Sequence, residues 1–234
     1  FLTIREPQRK IQESESIEVP SFSKVIQYVK NNWEVYGAII IGNSCLIILL
    51  YGLQSWVPTM LLRVYEWDLI QSGRVYGSIA MLAGSAGVLS GPFVLKYMSK
   101  INVIAPHFKL AIFGISMASI SLVLLPFQPN VNIALVCVTM ASFFVTLPLA
   151  GTSSAMVIVS PNRIRGVITG IYVVVTSIFG LVLGPFLVAS STDFIFQDTN
   201  AVAKSLALVS VLVGPVGIFF MFKGINSFRE IQNV

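Results

Sequence analysis

Charge is scarce in this sequence. Asp, Glu, Lys and Arg make up 11% of its 234 residues, while 55% are hydrophobic and the mean hydropathy is +0.83; an ordinary soluble domain carries about 25% charged residues. A chain so poor in charge cannot clothe a water-facing surface, so a large soluble domain is excluded and a lipid-embedded one implied. Histidine occurs once, as His107, in a loop between apolar runs. That rules out an HExxH zinc site and leaves any His-assisted nucleophile a single base. There is no P-loop, no GxSxG and no pair of intramembrane aspartates, so no enzyme, cofactor or metal site is expected. The two cysteines, Cys45 and Cys137, fall inside apolar runs, where they read as small buried hydrophobes rather than disulfide partners or nucleophiles. No acidic residue lies deep in an apolar run, so a proton carrier is missing too.

What is present is a series of six apolar runs, at about 36–60, 74–95, 108–126, 131–157, 166–191 and 204–222. Crossing a hydrocarbon core of about 30 Å takes about 20 apolar residues in a helix, because only a helix satisfies its own backbone hydrogen bonds there. Residues 35–223 are therefore expected to form a six-helix transmembrane bundle. Ahead of it, 1–20 are expected to hold the end of a preceding helix and a charged, Ser-rich cytosolic linker. In 21–34, Phe22, Val25, Ile26, Val29 and Trp33 recur at helical spacing with Lys24, Gln27 and Lys30 between them. This predicts an amphipathic helix at the membrane surface or a cytosolic extension of the first span. Residues 224–234 are expected to be a cytosolic tail. The opening FLTIREPQRK has neither an initiator Met nor a signal peptide's order, and the chain is read as a piece of a longer protein.

Lys and Arg are retained on the cytoplasmic side of membranes. With the N-terminus inside, the inner segments hold Arg5, Arg9, Lys10, Lys24, Lys30, Lys96, Lys100, Lys109, Arg163, Arg165, Lys223 and Arg229, twelve of the fifteen basic residues. The outer segments hold Arg63, Arg74 and Lys204 beside Glu66, Asp68, Asp193 and Asp198. Both termini are thus expected in the cytoplasm, at a plasma or inner membrane. The net charge of +5 sits in short clusters between spans, which reads as topology rather than nucleic-acid binding.

The second and fifth runs align without a gap at an offset of 93 residues, which lays Gly73, Gly77, Gly87, Gly91, Pro92 and Phe93 over Gly166, Gly170, Gly180, Gly184, Pro185 and Phe186. An odd number of spans separates the copies, so they cross the membrane in opposite senses: a 3+3 inverted repeat, an architecture recurrent in secondary transporters. Gly87 and Gly91, Gly166 and Gly170, and Gly180 and Gly184 are each four apart on one helix face. This small-xxx-small spacing lets backbones approach closely. Packing is the plain reading of all three pairs; sliding during alternating access is the functional one.

The stretch IVSPNRIRGVITGIYVVVTSIFGLVLGPFLV resembles the cytoplasmic loop and eleventh helix of major facilitator superfamily transporters of the Spinster-like and anion:cation symporter type. YGLQSWVPTMLLRVYEWDLIQSGRVYG resembles their seventh helix, the outer loop and the start of the eighth, and LTIREPQR the end of their sixth. The resemblance implies an all-α membrane protein forming the C-terminal six-helix half of a twelve-helix fold. Its implied partners are the lipid bilayer, a small-molecule substrate and the missing N-terminal six-helix half. It breaks after the second run, where the superfamily's Gly-x-x-x-Asp-Arg/Lys motif would place its Asp at Leu95. Only Gly91 and Lys96 match, so no charge-relay gate is carried over to this loop.

Candidate substrate-binding residues begin with Asn43, Tyr51, Gln54 and Trp56 of the first run, which by resemblance lines the central cavity. Asn43 and Gln54, about three turns apart, share a face, and either contact substrate or bond between helices. Arg74 could hold an anion bidentately, or snorkel and pair with Glu66 or Asp68; Arg63 shares that reading. Tyr172, Thr176 and Ser177 form a polar set among valines, and Ser142 and Thr146 are four apart; such hydroxyls more often bond their own backbone than a ligand. Arg163 and Arg165 either fix topology or close a gate. The expected function is secondary active transport of a small organic anion or an amphipathic lipid-like solute. The alternative is a membrane scaffold, which would bury Asn43, Tyr51 and Gln54 between its own helices instead of around a shared cavity. A channel is disfavoured, since no ring-forming charges or filter-like loop appear.

Overall fold

A computed structural model describes residues 22–232, with side chains from 23 to 228; the expected linker of 1–20 lies outside them. Among the described residues six helices are long and apolar enough to cross a bilayer: Trp33–Val64, Leu69–Lys100, Pro106–Phe127, Val131–Val159, Arg165–Phe196 and Val202–Phe228. They are the six apolar runs, numbered below as the first to sixth spans, and the protein is an all-α, multi-pass membrane protein.

Span ends differ from the sequence reading where polar residues continue a helix. The amphipathic segment forms a helix over Phe22–Asn31 that keeps Val25 inside and Lys24 and Lys30 outside. Trp33 and Glu34, expected in that segment, instead open the first span. Asn32 makes the break, its Nδ2 donating to the Tyr28 carbonyl at 2.9 Å. His107, expected in a loop, sits in the first turn of the third span behind Pro106. Proline suits that position, where its missing N–H has no helical acceptor anyway. The last helix runs on to Gln232, so part of the expected tail is helical. Phe228 is fully buried with its ring 5.0 Å from that of Phe108.

Hydrogen bonds gather the helix ends into two faces. At one, the Tyr36 hydroxyl donates to the Val159 carbonyl at 3.2 Å, Ser227 Oγ to Glu34 at 2.8 Å, and His107 Nδ1 lies 3.1 Å from the Gly151 carbonyl. At the other, Arg63 donates to the Thr199 carbonyl at 3.2 Å and the Tyr65 hydroxyl to the Gln128 carbonyl at 2.7 Å. Burial raises the Tyr65 phenol above its ordinary value.

The first span is the spine, with Leu46, Leu53, Met60 and Leu61 wholly enclosed. Glycines bring the sixth span against it: a Cβ built on Gly217 would sit 2.9 Å from Cys45 Cβ, and one on Gly224 2.5 Å from Ala38 Cβ. The fourth span breaks at Pro148, between helices Val131–Thr146 and Leu149–Val159, because proline donates no hydrogen bond and crowds the preceding turn. The second and fifth spans carry π-helical turns at Ala80–Gly84 and Phe179–Leu183. They also present the most open faces, where Phe93 is 75% and Phe186 60% exposed.

The repeat glycines divide into two groups. A Cβ on Gly87 would meet Thr146 Oγ1 and lie 2.5 Å from the Phe143 carbonyl oxygen, and one on Gly91 would meet the Leu147 carbonyl oxygen. On Gly180 it would lie 2.9 Å from Ile47 Cβ, and on Gly184 2.7 Å from the Ile48 carbonyl oxygen. The second span thus packs on the fourth as the fifth packs on the first. Gly166 and Gly170 correct the packing expectation, for nothing lies within 4 Å of a Cβ on either, nor on Gly73 or Gly77.

Candidate substrate-binding groove

Three spans enclose a groove of about 470 Å³, within the range of small-molecule sites. Each contributes residues one helical turn apart: Leu50 and Gln54 from the first; Tyr76, Ala80, Gly84 and Val88, with Ser85 and Leu89, from the second; Ser142, Thr146 and Leu149 from the fourth. The π-helical turn of the second span forms part of the wall. A π turn misaligns backbone acceptors, and the Gly84 carbonyl accepts from Thr146 Oγ1 at 3.0 Å. The same hydroxyl lies 2.9 Å from the Ser142 carbonyl, so Thr146 is spent on backbone. Gln54 is exposed in the groove. Ser142 is 4% exposed, and its Oγ has no hydrogen-bond partner among the described residues.

The groove gathers only part of the set expected from sequence. Asn43 faces inward at 3% exposure and its Oδ1 accepts from Thr152 Oγ1 at 2.7 Å, joining the first and fourth spans. Asn43, Tyr51 and Gln54 therefore do not share a cavity. An eleven-residue separation keeps the two on one face but sets them about 16 Å apart along the helix, so they meet different neighbours: Asn43 meets Thr152, and Gln54 opens into the groove. Tyr51 is half-buried, its Cβ 3.2 Å from where a Gly184 Cβ would be. Trp56 ties the first span to the fifth, Nε1 donating to the Pro185 carbonyl at 3.0 Å. Tyr172 is 2% exposed with its hydroxyl 3.4 Å from Ser153 Oγ, and Thr176 donates to the Tyr172 carbonyl at 2.8 Å, the backbone bond anticipated for such hydroxyls.

Arg74 is exposed, in grooves beside Gln71 and Ser78, and makes no ion pair with Glu66 or Asp68 among the described residues. Asp68 instead caps its helix, accepting from the Gln71 backbone N–H at 2.7 Å. Arg165 Nε donates to the Ser160 carbonyl at 3.4 Å, and Arg163 is exposed. Leu95, where an Asp would complete the gating motif, packs with Leu110 and Leu147, and its Cδ1 lies 2.9 Å from a Cβ built on Gly151. Sequence reading overlooked Tyr76, although Tyr76, Ala80, Gly84 and Val88 recur every four residues along the second span.

The sequence profile of the Major Facilitator Superfamily matches residues 1–185. The chain belongs to the major facilitator superfamily. No curated protein matches it. Among solved structures it is similar to a bacterial homologue of the human lysosomal transporter Spinster in its inward-facing, unoccupied conformation. There the TM-score is 0.65 at 14% identity, over 99% of this chain and 55% of that one. Against the inward-facing, occupied conformation the TM-score is 0.60 at 13% identity, over 86% and 49%. At such identities the likeness is one of fold. This major facilitator chain spans about half the length of those structures and corresponds to a C-terminal-like half of the fold.

Proposed function

We propose that this chain is the C-terminal half of a secondary active transporter that moves a small organic anion or an amphipathic lipid-like solute by alternating access against an N-terminal six-helix half. The observation that carries the reading is the groove among the first, second and fourth spans, with Gln54, Tyr76, Ser85, Ser142 and Thr146 in a wall otherwise of Leu, Val, Ala and Gly. Polar groups inside a membrane domain are costly, and a wet transport path is where they recover hydrogen bonds. Two further features support it. The contacts of the second span on the fourth and of the fifth on the first are those that a 3+3 inverted repeat would make. The face holding Glu34, Val159 and Ser227 is also where Lys96, Lys100, Lys109, Arg163, Arg165 and Lys223 begin or end their spans, which favours a cytoplasmic face with both termini inside.

Uptake into proteoliposomes tests the reading, comparing this chain alone with the chain extended by its upstream half across a panel of organic anions and lysolipids. Uptake is expected from the extended form only, and is expected to fall at least tenfold in Gln54→Ala, the loss of about 1.4 kcal/mol. A second reading, a membrane scaffold without transport, draws on Asn43 and Thr176, which are spent inside the bundle. It takes first place if neither form takes up any solute of a broad panel.

A further inference from the structure

We propose that Ser142 is a specificity-determining residue of the groove, and that with Gln54 and Tyr76 it selects an uncharged hydrogen-bonding group, a hydroxyl or a carbonyl, borne on an apolar ligand. The proposal deepens the transporter reading and rests on it for access to the groove.

Hydroxyls in these spans overwhelmingly satisfy themselves. Ser44, Ser116, Thr139, Ser153 and Ser191 each donate to the carbonyl four residues earlier, at 2.7–3.0 Å. Thr146, one turn beyond Ser142, does so too and reaches the second span as well. Ser142 departs from this habit, as do Ser72, Ser119 and Thr169, and of these four only Ser142 lines the groove. Its carbonyl is engaged by Thr146, yet its own hydroxyl is covered and unpartnered, at 4% residue exposure, in the wall of the groove. A buried hydroxyl without a partner carries the cost of its lost water, a penalty that a bound hydrogen-bonding group removes.

The company of Ser142 defines what that group is. Gln54 and Tyr76 offer an amide and a phenol, each able to donate and accept. Ser85 adds an exposed hydroxyl and Thr146 one already given to backbone; the rest of the wall is apolar, Leu50, Val88 and Leu89 among it, and no Asp, Glu, Lys, Arg or His takes part. A charged group seated there would lose its water with no counter-ion to replace it. An uncharged polar group on a hydrocarbon body meets both kinds of wall. Arg74 faces different grooves, so any charge on the same ligand is met outside this one.

The test uses the full-length protein, this chain with its upstream half, in nanodiscs. The probes are 1-O-dodecylglycerol and its twin in which hydrogen replaces both hydroxyls, dodecyl propyl ether, with binding read by scintillation proximity and stability by thermal unfolding. Ser142→Ala is expected to weaken dodecylglycerol three- to tenfold, the worth of one hydrogen bond, to leave dodecyl propyl ether unchanged, and to keep or raise the ligand-free melting temperature. Ser142→Thr, which keeps the hydroxyl, restores the affinity. Equal dodecylglycerol affinity in wild type and Ser142→Ala, an equal drop for both probes, a lowered ligand-free melting temperature, or no saturable dodecylglycerol binding by the wild type overturns the proposal. Uptake of the solute panel by the same protein is scored separately, so the transporter reading stands or falls on its own.

Discussion

The second and fifth spans each carry two glycine pairs at the same spacing, and the two ends of each helix put them to opposite use. Gly87 and Gly91 let the fourth span come within van der Waals reach of backbone, and Gly180 and Gly184 do the same for the first span. Gly73 and Gly77, and Gly166 and Gly170, meet nothing within 4 Å. Small-xxx-small spacing is therefore permission for close approach, and the neighbour decides whether it is taken. The π-helical turns at Ala80–Gly84 and Phe179–Leu183 fall between the open and packed ends of their spans or at the start of the packed one, where helix phase must change from one contact to the other.

The contrast predicts opposite signs for replacing glycines of the two groups by larger residues. The largest effect is expected at the packed end. Gly87→Val drives new carbons into the Phe143 carbonyl and Thr146, and backbone cannot step aside as a flexible side chain can. We expect about 3 kcal/mol of destabilisation, visible as a fall in the melting temperature in detergent and in folded yield. An unchanged melting temperature would mean that the second and fourth spans are held less closely than described. Next comes Thr152→Val, which removes the bond to Asn43 and leaves a buried amide oxygen unmet. A cost of about 1–2 kcal/mol is expected, and Asn43→Leu combined with Thr152→Val should recover part of it, since replacing both partners removes the orphan. Smaller and of opposite sign is Gly170→Ala at the open end. With no neighbour to strike, the gain in helix propensity should stabilise this chain by about 0.5–1 kcal/mol. The same substitution in the protein carrying its upstream half would lose that gain if the open face is covered there.

The spans were legible from sequence because lipid imposes one rule on every residue of a crossing helix, and a run of about 20 apolar residues follows. The closeness of packing at Gly87 and Gly180 was legible as well, from glycine spacing and the 93-residue offset. The difference between the two glycine groups was not, because spacing describes one helix and contact requires two. Asn43 and Gln54 show the same limit: a helical wheel places them side by side, yet Thr152 on another span takes one and leaves the other in the groove. Tyr76 was missed because its stripe is made of Ala, Gly and Val, which carry no chemical signal alone. Ser142 was read with Thr146 as a hydroxyl bonded to its own backbone for a related reason, as a hydroxyl's lack of a partner is visible only once every candidate partner has been placed.

The smallest expected effect bears on where the open and packed ends of the fifth span meet. Thr176 lies between Gly170 and Gly180, is 2% exposed, and gives its hydroxyl to the Tyr172 carbonyl, with Val173 a longer second acceptor at 3.3 Å. Both acceptors are carbonyls of its own helix, which already receive backbone N–H bonds. Thr176→Val keeps the branched shape and removes only a local bond, so stability should change by no more than about 0.5 kcal/mol and uptake by the extended protein should not change at all. Lost uptake with unaltered stability would move Thr176 from the packing of its own span into the transport path. The polar wall would then extend across the fifth span toward Tyr172, and a groove confined to the first, second and fourth spans would be too small a description of the site.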